Sequence, residues 1–310
     1  MSLEAQLAAL IGSAHALPTR SGSAAIVAAL TSAGFSPHAE VIMPAICCPA
    51  VFSSIAFAGF TPQLADVALS DLCSGPAEIE AQISSRTAAI IAVHSYGRRC
   101  AIEEISSLAK DRGLLLIEDA CLALGGGSDS RRLGSYGDLS ILSFGYDKII
   151  DSGGGGALLC NDDRLYPSAR GLLNANPLLG DIPAENRKFV AERLAGLPEE
   201  LASRRENARL YRDGLSEERV QKYPIEEDAV VWRYSVLYRG DRNALLSAAA
   251  DENIIITAHY PSLARFRTGP LLPNAETVSA QVINLLVRAG TGHDSIERTI
   301  RLINEFDGSS

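Results

Sequence analysis

The sequence predicts an α/β fold, with a large domain on a mostly parallel sheet followed by a smaller α+β C-terminal domain. Three observations carry this. Short apolar runs of buried-strand type, such as residues 88–93 and 114–117, alternate with helix-length segments. That is the pattern of βαβ units whose sheet is covered on both faces. The alternation breaks where residues 139–144 and 157–160 are joined only by a glycine-rich loop, too short for a crossover helix. From about Pro183 the chain becomes helical and charged, then mixes strands with helices, so the large domain is expected over residues 1–200 and the small one over 201–310.

The elements follow in order. After a short helical opening, Ser21-Gly22-Ser23 introduces an apolar helix over residues 24–33 that Gly34 closes. Residues 41–43 form a strand, a helix runs from Pro49 to Gly59, and residues 61–65 are extended. The stretch 41–65 carries no charge and is long enough to cross a bilayer, but Pro44, Pro49, Gly59 and Pro62 break it into strand, helix and strand. No membrane segment is expected. An amphipathic helix over 102–110 stops at Gly113, ahead of the strand at 114–117. Beyond Pro183, helix extends through Arg204-Arg205, which read as a solvated face, to Leu215. Strands are then expected over 230–238 and 254–258, and helices over 242–250, 278–287 and 296–303.

Charge and composition exclude several functions. The formal net charge is −9, with no block of lysine or arginine to track a phosphate backbone, so nucleic-acid binding is not expected. Six cysteines, at 47, 48, 73, 100, 121 and 160, include no C-x-x-C pair, which disfavours a metal site or a disulfide framework. With no basic, apolar leader at Met1-Ser2-Leu3-Glu4, the expected location is the cytoplasm.

Ligands on parallel sheets collect beyond the carboxyl ends of the strands. Here those ends carry His94, Glu118-Asp119, Ser143 and, shortly beyond, Lys148. A desolvated lysine is a nucleophile toward carbonyls. An aspartate can keep a pyridinium nitrogen protonated, and pyridoxal phosphate needs both partners. Gly22-Ser23-Ala24, opening a helix, offers amides and a hydroxyl to a phosphate.

These motifs together resemble the DegT/DnrJ/EryC1/StrS family of sugar aminotransferases. Glu118-Asp119-Ala120 resembles its E-D-A element, whose aspartate faces the pyridine nitrogen, and Ser143 to Lys148 resembles S-F-x-x-x-K, whose lysine holds the cofactor as a Schiff base and whose serine contacts phosphate. Gly155-Gly156-Ala157 resembles the glycine pair that follows, and Gly22-Ser23-Ala24 the early phosphate loop. Val93 to Gly97, His259-Tyr260-Pro261 and Trp232 resemble further signatures. The resemblance implies a fold type I homodimer in which Lys148 and Asp119 are catalytic. Gly22, Ser23, Ala24, Cys48 and Ser143 would complete the cofactor site, with His94, Tyr96 and His259 toward substrate. It implies amino transfer, usually from glutamate, to a keto sugar on a nucleotide, in polysaccharide or antibiotic amino-sugar synthesis. The chain departs from the family pattern at Leu122, Gly145 and Gly154, and at Cys48, where a ring-stacking aromatic is usual; Asn186 is the candidate for reaching the neighbouring subunit's phosphate.

Plainer readings stand beside these. Ser23 and Ser143 could serve as a helix cap and a strand-end hydroxyl, His94 and His259 as hydrogen-bonded structural residues, and the cysteines as small packing groups. The run Gly153 to Gly156 could suggest a dinucleotide loop, but a strand follows it rather than a helix. A sugar dehydratase is disfavoured because the family's dehydratases replace the lysine by histidine. A non-catalytic partner or sensor is favoured only by the altered lining at Cys48, Leu122 and Gly145.

Overall fold

The computed structural model describes residues 1–266 and 269–307. Its main sheet has seven strands: β1 (His15–Thr19), β2 (Glu40–Pro44), β3 (Thr61–Ala65), β4 (Thr87–Val93), β5 (Leu115–Asp119), β6 (Leu139–Ser143) and β7 (Gly156–Cys160). They lie in the order β1-β7-β6-β5-β4-β2-β3. Strands β2 to β6 are mutually parallel, and β7 runs antiparallel to both β6 and β1. The short loop between β6 and β7 dictates that reversal, since a parallel return needs a crossover. Central strands β2 and β4 to β7 are almost wholly buried, which is why they read as continuous apolar runs.

Helices α1 (Leu3–Ile11), α2 (Gly22–Ser32), α3 (Pro49–Phe57), α4 (Pro76–Glu80), α5 (Ile102–Arg112), α6 (Tyr166–Ala175) and α7 (Ala184–Arg193) accompany this sheet. Helix α2 is buried nearly all round; its alanines let it pass close to β6, β7, α3 and α6. Helix α5 ends as expected at Gly113, which adopts the left-handed cap at φ 64°.

Helix α8 (Leu197–Gly214) joins the two parts. Its Leu197 and Leu201 enter the core of the main sheet, whereas Ala208 and Tyr211 enter a second core. The division expected at residue 200 thus falls inside one helix. Arg204, expected on a solvated face, is instead 3% exposed. It pairs with Glu200 and donates to the Trp232 carbonyl at 2.7 Å.

The second core lies on an antiparallel sheet of β8 (Val220–Gln221), β9 (Tyr234–Tyr238), β10 (Ile256–Thr257) and β11 (Val282–Leu285), in the order β10-β11-β9-β8. Helices α9 (Arg242–Asp251), α10 (Pro273–Gln281) and α11 (His293–Glu305) accompany it. Ile296, Thr299 and Ile303 form the buried stripe of α11. The helix expected over 278–287 is corrected: α10 stops at Gln281 and the next residues are strand β11. Buried between β9 and β10, β11 shows neither the period of a helix nor the alternation of an exposed strand. Leu263, Leu272, Ala275 and Val278 pack back onto the first core. No helix among the described residues is long and apolar enough to cross a membrane.

Candidate active site

The start of α2 is seated on the ends of β6 and β7. Ser143 pairs with Gly156 across the two strands. At Gly156 a Cβ would lie 2.5 Å from the Ser21 carbonyl carbon and 2.6 Å from the Gly22 nitrogen, so only glycine admits this approach. A Cβ at Gly22 would in turn lie 3.0 Å from Ser143 Cβ, 3.3 Å from Ser143 Oγ and 3.4 Å from Cys121 Sγ. Ser21 Oγ caps the helix by accepting the Ala24 N–H at 3.1 Å, so the Ala24 amide is committed to the cap. First-turn amides of Gly22 and Ser23 have no intrahelical acceptor. Those amides, the positive end of the helix dipole and the Ser143 hydroxyl meet at one place, a donor set that suits a phosphate.

One strand over, Asp119 ends β5 at 6% exposure. Its Oδ1 accepts the Cys121 N–H at 3.0 Å, which turns the carboxylate back over the strand end. Lys148 is half-buried on the loop from β6 to β7. Both charges act on the same two thiols. Burial raises Cys47 and Cys121 far above the ordinary thiol value, Asp119 raises them further and Lys148 pulls them down. Acid and amine therefore both lie within electrostatic reach of Cys47, after β2, and Cys121, after β5. A phosphate seat, an acidic group and a lysine in this arrangement fit pyridoxal phosphate.

The C-terminal part closes the site with rings that lie far along the chain. The Tyr260 N–H donates to the Tyr96 hydroxyl at 3.1 Å. Tyr260 stacks on Trp232 with ring centres 6.1 Å apart and lies 5.8 Å from Tyr96. Burial pushes the Tyr260 hydroxyl well up, and Cys48, Tyr96, Cys47 and Asp119 add to that. Tyr260 thus lies within electrostatic reach of Cys48, the position without an aromatic of its own. Cys48 itself is half-buried at the start of α3. Sequence reasoning quoted Tyr260 only as part of a motif; no local signal ties it to residue 48. His259 Nδ1 lies 3.1 Å from Thr257 Oγ1, and burial, then the Arg233 charge, lower its pKa.

The backbone N–H of His94 donates to the Asp119 carbonyl at 3.3 Å, but its ring turns into the core. It is fully buried, its Nδ1 accepts the Cys100 N–H at 3.3 Å, and its Nε2 lies 2.9 Å from Glu118 Oε1. Glu118 also accepts the N–H groups of Gly134, Tyr136 and Gly137 at 2.6, 2.7 and 3.2 Å. The pair braces the loop before β6, so both ring nitrogens of His94 are already engaged within the protein. Tyr96, 1% exposed, supports Tyr260 through the hydrogen bond it accepts from the Tyr260 N–H. Asn186 bonds the Ser152 carbonyl of its own chain's glycine-rich loop. Leu122 is buried, and a Cβ at Gly154 would meet open space.

Known proteins resemble this chain along nearly its whole length. The model of the DegT/DnrJ/EryC1/StrS aminotransferase family matches residues 1–304. The L-glutamine:2-deoxy-scyllo-inosose aminotransferase of Streptoalloteichus tenebrarius is 33% identical over 233 residues, which are 68% of this chain and 55% of that protein. This chain therefore spans little more than half the length of that relative. GDP-perosamine synthase of Escherichia coli O157:H7 is 30% identical over 316 residues, covering 94% of this chain and 85% of that one. S. venezuelae DesV, solved with a ketimine intermediate, superposes with a TM-score of 0.89 at 28% identity, over 98% of this chain and 87% of its own. By these matches the chain belongs to the DegT/DnrJ/EryC1/StrS aminotransferase family, whose aminotransferases depend on pyridoxal phosphate.

Proposed function

We propose that this protein is a pyridoxal-phosphate-dependent aminotransferase that moves an amino group from glutamate to the keto group of a nucleotide-linked sugar. It would work as a homodimer in the cytoplasm. The reading is supported by the placement of Asp119 at the end of β5, Ser143 at the end of the adjacent β6 beside Gly22, and Lys148 on the loop that leaves β6. When bound, pyridoxal phosphate supplies an aldehyde that takes up an amino group and a ring that accepts the electrons freed at the donor's α-carbon.

The chain's residues do the rest. Ser143 Oγ and the amides of Gly22 and Ser23 bind the phosphate, and Ser23 adds a hydroxyl at the same helix start. The Asp119 carboxylate holds a proton on the ring nitrogen, which keeps the ring electron-poor. Lys148 Nζ would hold the aldehyde carbon and, when free, would act as the base and acid that moves the proton of the donor's α-carbon. Tyr260 and Trp232, packed against Tyr96, exclude water from the small-domain side. His259 lines the substrate approach. The sugar acceptor is supported by the relatives named above, which include a perosamine synthase.

The experiment is a half-reaction. Purified protein loaded with pyridoxal phosphate is mixed with glutamate, and 2-oxoglutarate is measured together with the visible spectrum. Loss of the aldehyde band with release of 2-oxoglutarate supports the reading; a lyase or a silent relative gives neither.

A further inference from the structure

The loop that carries Lys148 is fastened to the C-terminal part through the residue before it. Asp147 is buried and sits at φ 61°, in the left-handed region. Each of its polar atoms is used. Its N–H donates to Asp151 Oδ2 at 2.8 Å, and its carbonyl accepts the Trp232 Nε1–H at 2.6 Å. Oδ2 accepts from Arg233 Nε and Nη2 at 3.2 and 2.7 Å, while Oδ1 accepts from Arg288. Trp232 and Arg233 lead into β9 and Arg288 follows β11. The Trp232 backbone is held as well, because buried Arg204 donates to its carbonyl.

A left-handed turn alone does not call for this. Glycine or asparagine would adopt the same backbone without any charge. Removing a carboxylate and a guanidinium from water costs several kcal/mol per ion, on the order of what their attraction returns, so a buried pair is a weak source of stability. What the arrangement supplies is direction. With both peptide groups and both carboxylate oxygens of Asp147 fixed, the Lys148 side chain leaves the backbone along one path. The anchors of that path lie on the part of the molecule that also carries Tyr260 and His259.

We infer that Asp147 is a positioning residue for Lys148: through Arg233, Arg288 and Trp232 it holds the lysine amine in line with the cofactor's aldehyde carbon and ties that alignment to the small sheet. The inference rests on Lys148 being the amine that binds the cofactor.

The test uses the full chain freed of cofactor, comparing wild type with Asp147→Asn, Arg288→Met and the double variant. Adding pyridoxal phosphate joins amine and aldehyde with loss of water, and the visible band reports the rate. Borohydride reduction and peptide mapping identify the amine. Pyridoxamine phosphate, which has no aldehyde, reports binding that does not need the lysine. Expected are band formation and kcat slowed about a hundredfold in Asp147→Asn and about tenfold in Arg288→Met, with KM and pyridoxamine phosphate affinity changed less than about threefold. The double variant should match Asp147→Asn, because both substitutions break one link. An unchanged rate of band formation overturns the inference, as does a parallel loss of pyridoxamine phosphate affinity. Should Asp147→Asn not fold, the half-exposed Arg288→Met decides by the same two results. If borohydride tags another residue in the wild type, the reading of Lys148 itself fails, and that outcome is distinct from the others.

Discussion

Adding one methyl group at Gly22 tests whether the start of α2 and Ser143 form a single phosphate seat. The new Cβ would lie 3.0 Å from Ser143 Cβ and 3.3 Å from its Oγ. Carbon atoms rest about 3.5–4.0 Å apart, so either Ser143 moves by roughly half an ångström or α2 lifts off the sheet. Overpacking of this kind costs about 1–3 kcal/mol. Replacing glycine by alanine in a helix returns about 0.5–1 kcal/mol, which leaves a net loss of stability near 1 kcal/mol. The larger effect falls on the ligand. Displacing one hydrogen bond to a charged group costs about 1.5–3 kcal/mol, or about 10- to 150-fold in affinity. Gly22→Ala should therefore weaken pyridoxamine phosphate binding by about one to two decades, while the melting temperature falls by only a few degrees. Titration calorimetry and a thermal melt measure the two. Undiminished affinity in a folded variant would refute the placement of the phosphate.

Asp119→Asn should retain pyridoxal phosphate but lose about a hundredfold or more in the rate of the glutamate half-reaction; a rate equal to wild type would remove Asp119 from its electronic role. Glu118→Ala strands the three loop amides and His94 that the carboxylate now satisfies, so urea unfolding should show a loss of at least about 3 kcal/mol. A loss below about 1 kcal/mol would contradict the bracing role. Burial alone would raise the Asp147 carboxyl, yet hydrogen bonds from Arg233 and Arg288 hold it below its usual value. Its folded pKa thus lies below the unfolded value of about 3.9, so its contribution is complete above that pH and lost as pH falls through the folded pKa. The stability advantage of wild type over Asp147→Asn should be constant from neutral pH down to about 5 and shrink below about 4. Urea melts across that range check it, and an advantage that grows toward acid contradicts it.

The large sheet was legible because β4 and β5 are buried on both faces and so appear as unbroken apolar runs. Strand β1 was not, since His15 and Pro18 interrupt it and only Ala16 and Thr19 are buried. Strand β11 hid behind α10 because its apolar residues continue the apolar positions of the helix. At the site, Asp119 and Ser143 stand at strand ends, where position along the chain already specifies position on the sheet, and Lys148 follows on the loop that leaves β6. Asp147 gives no such signal. Its partners Arg233 and Arg288 are 86 and 141 residues away, and an aspartate in a glycine-rich loop looks like an ordinary turn residue. His94 shows the converse: it follows a strand end, but Glu118 on the neighbouring strand draws its ring into the core.

The account stands on the Lys148 amine handling both the aldehyde and the migrating proton. Loading wild type and Lys148→Ala with pyridoxal phosphate, adding glutamate without an acceptor and following the spectrum examines that most directly. Wild type should pass to the pyridoxamine phosphate form with matching release of 2-oxoglutarate, and Lys148→Ala, folded and melting at the same temperature, should not. Conversion at the wild-type rate by Lys148→Ala would contradict the account, as would a wild-type spectrum that glutamate leaves unchanged.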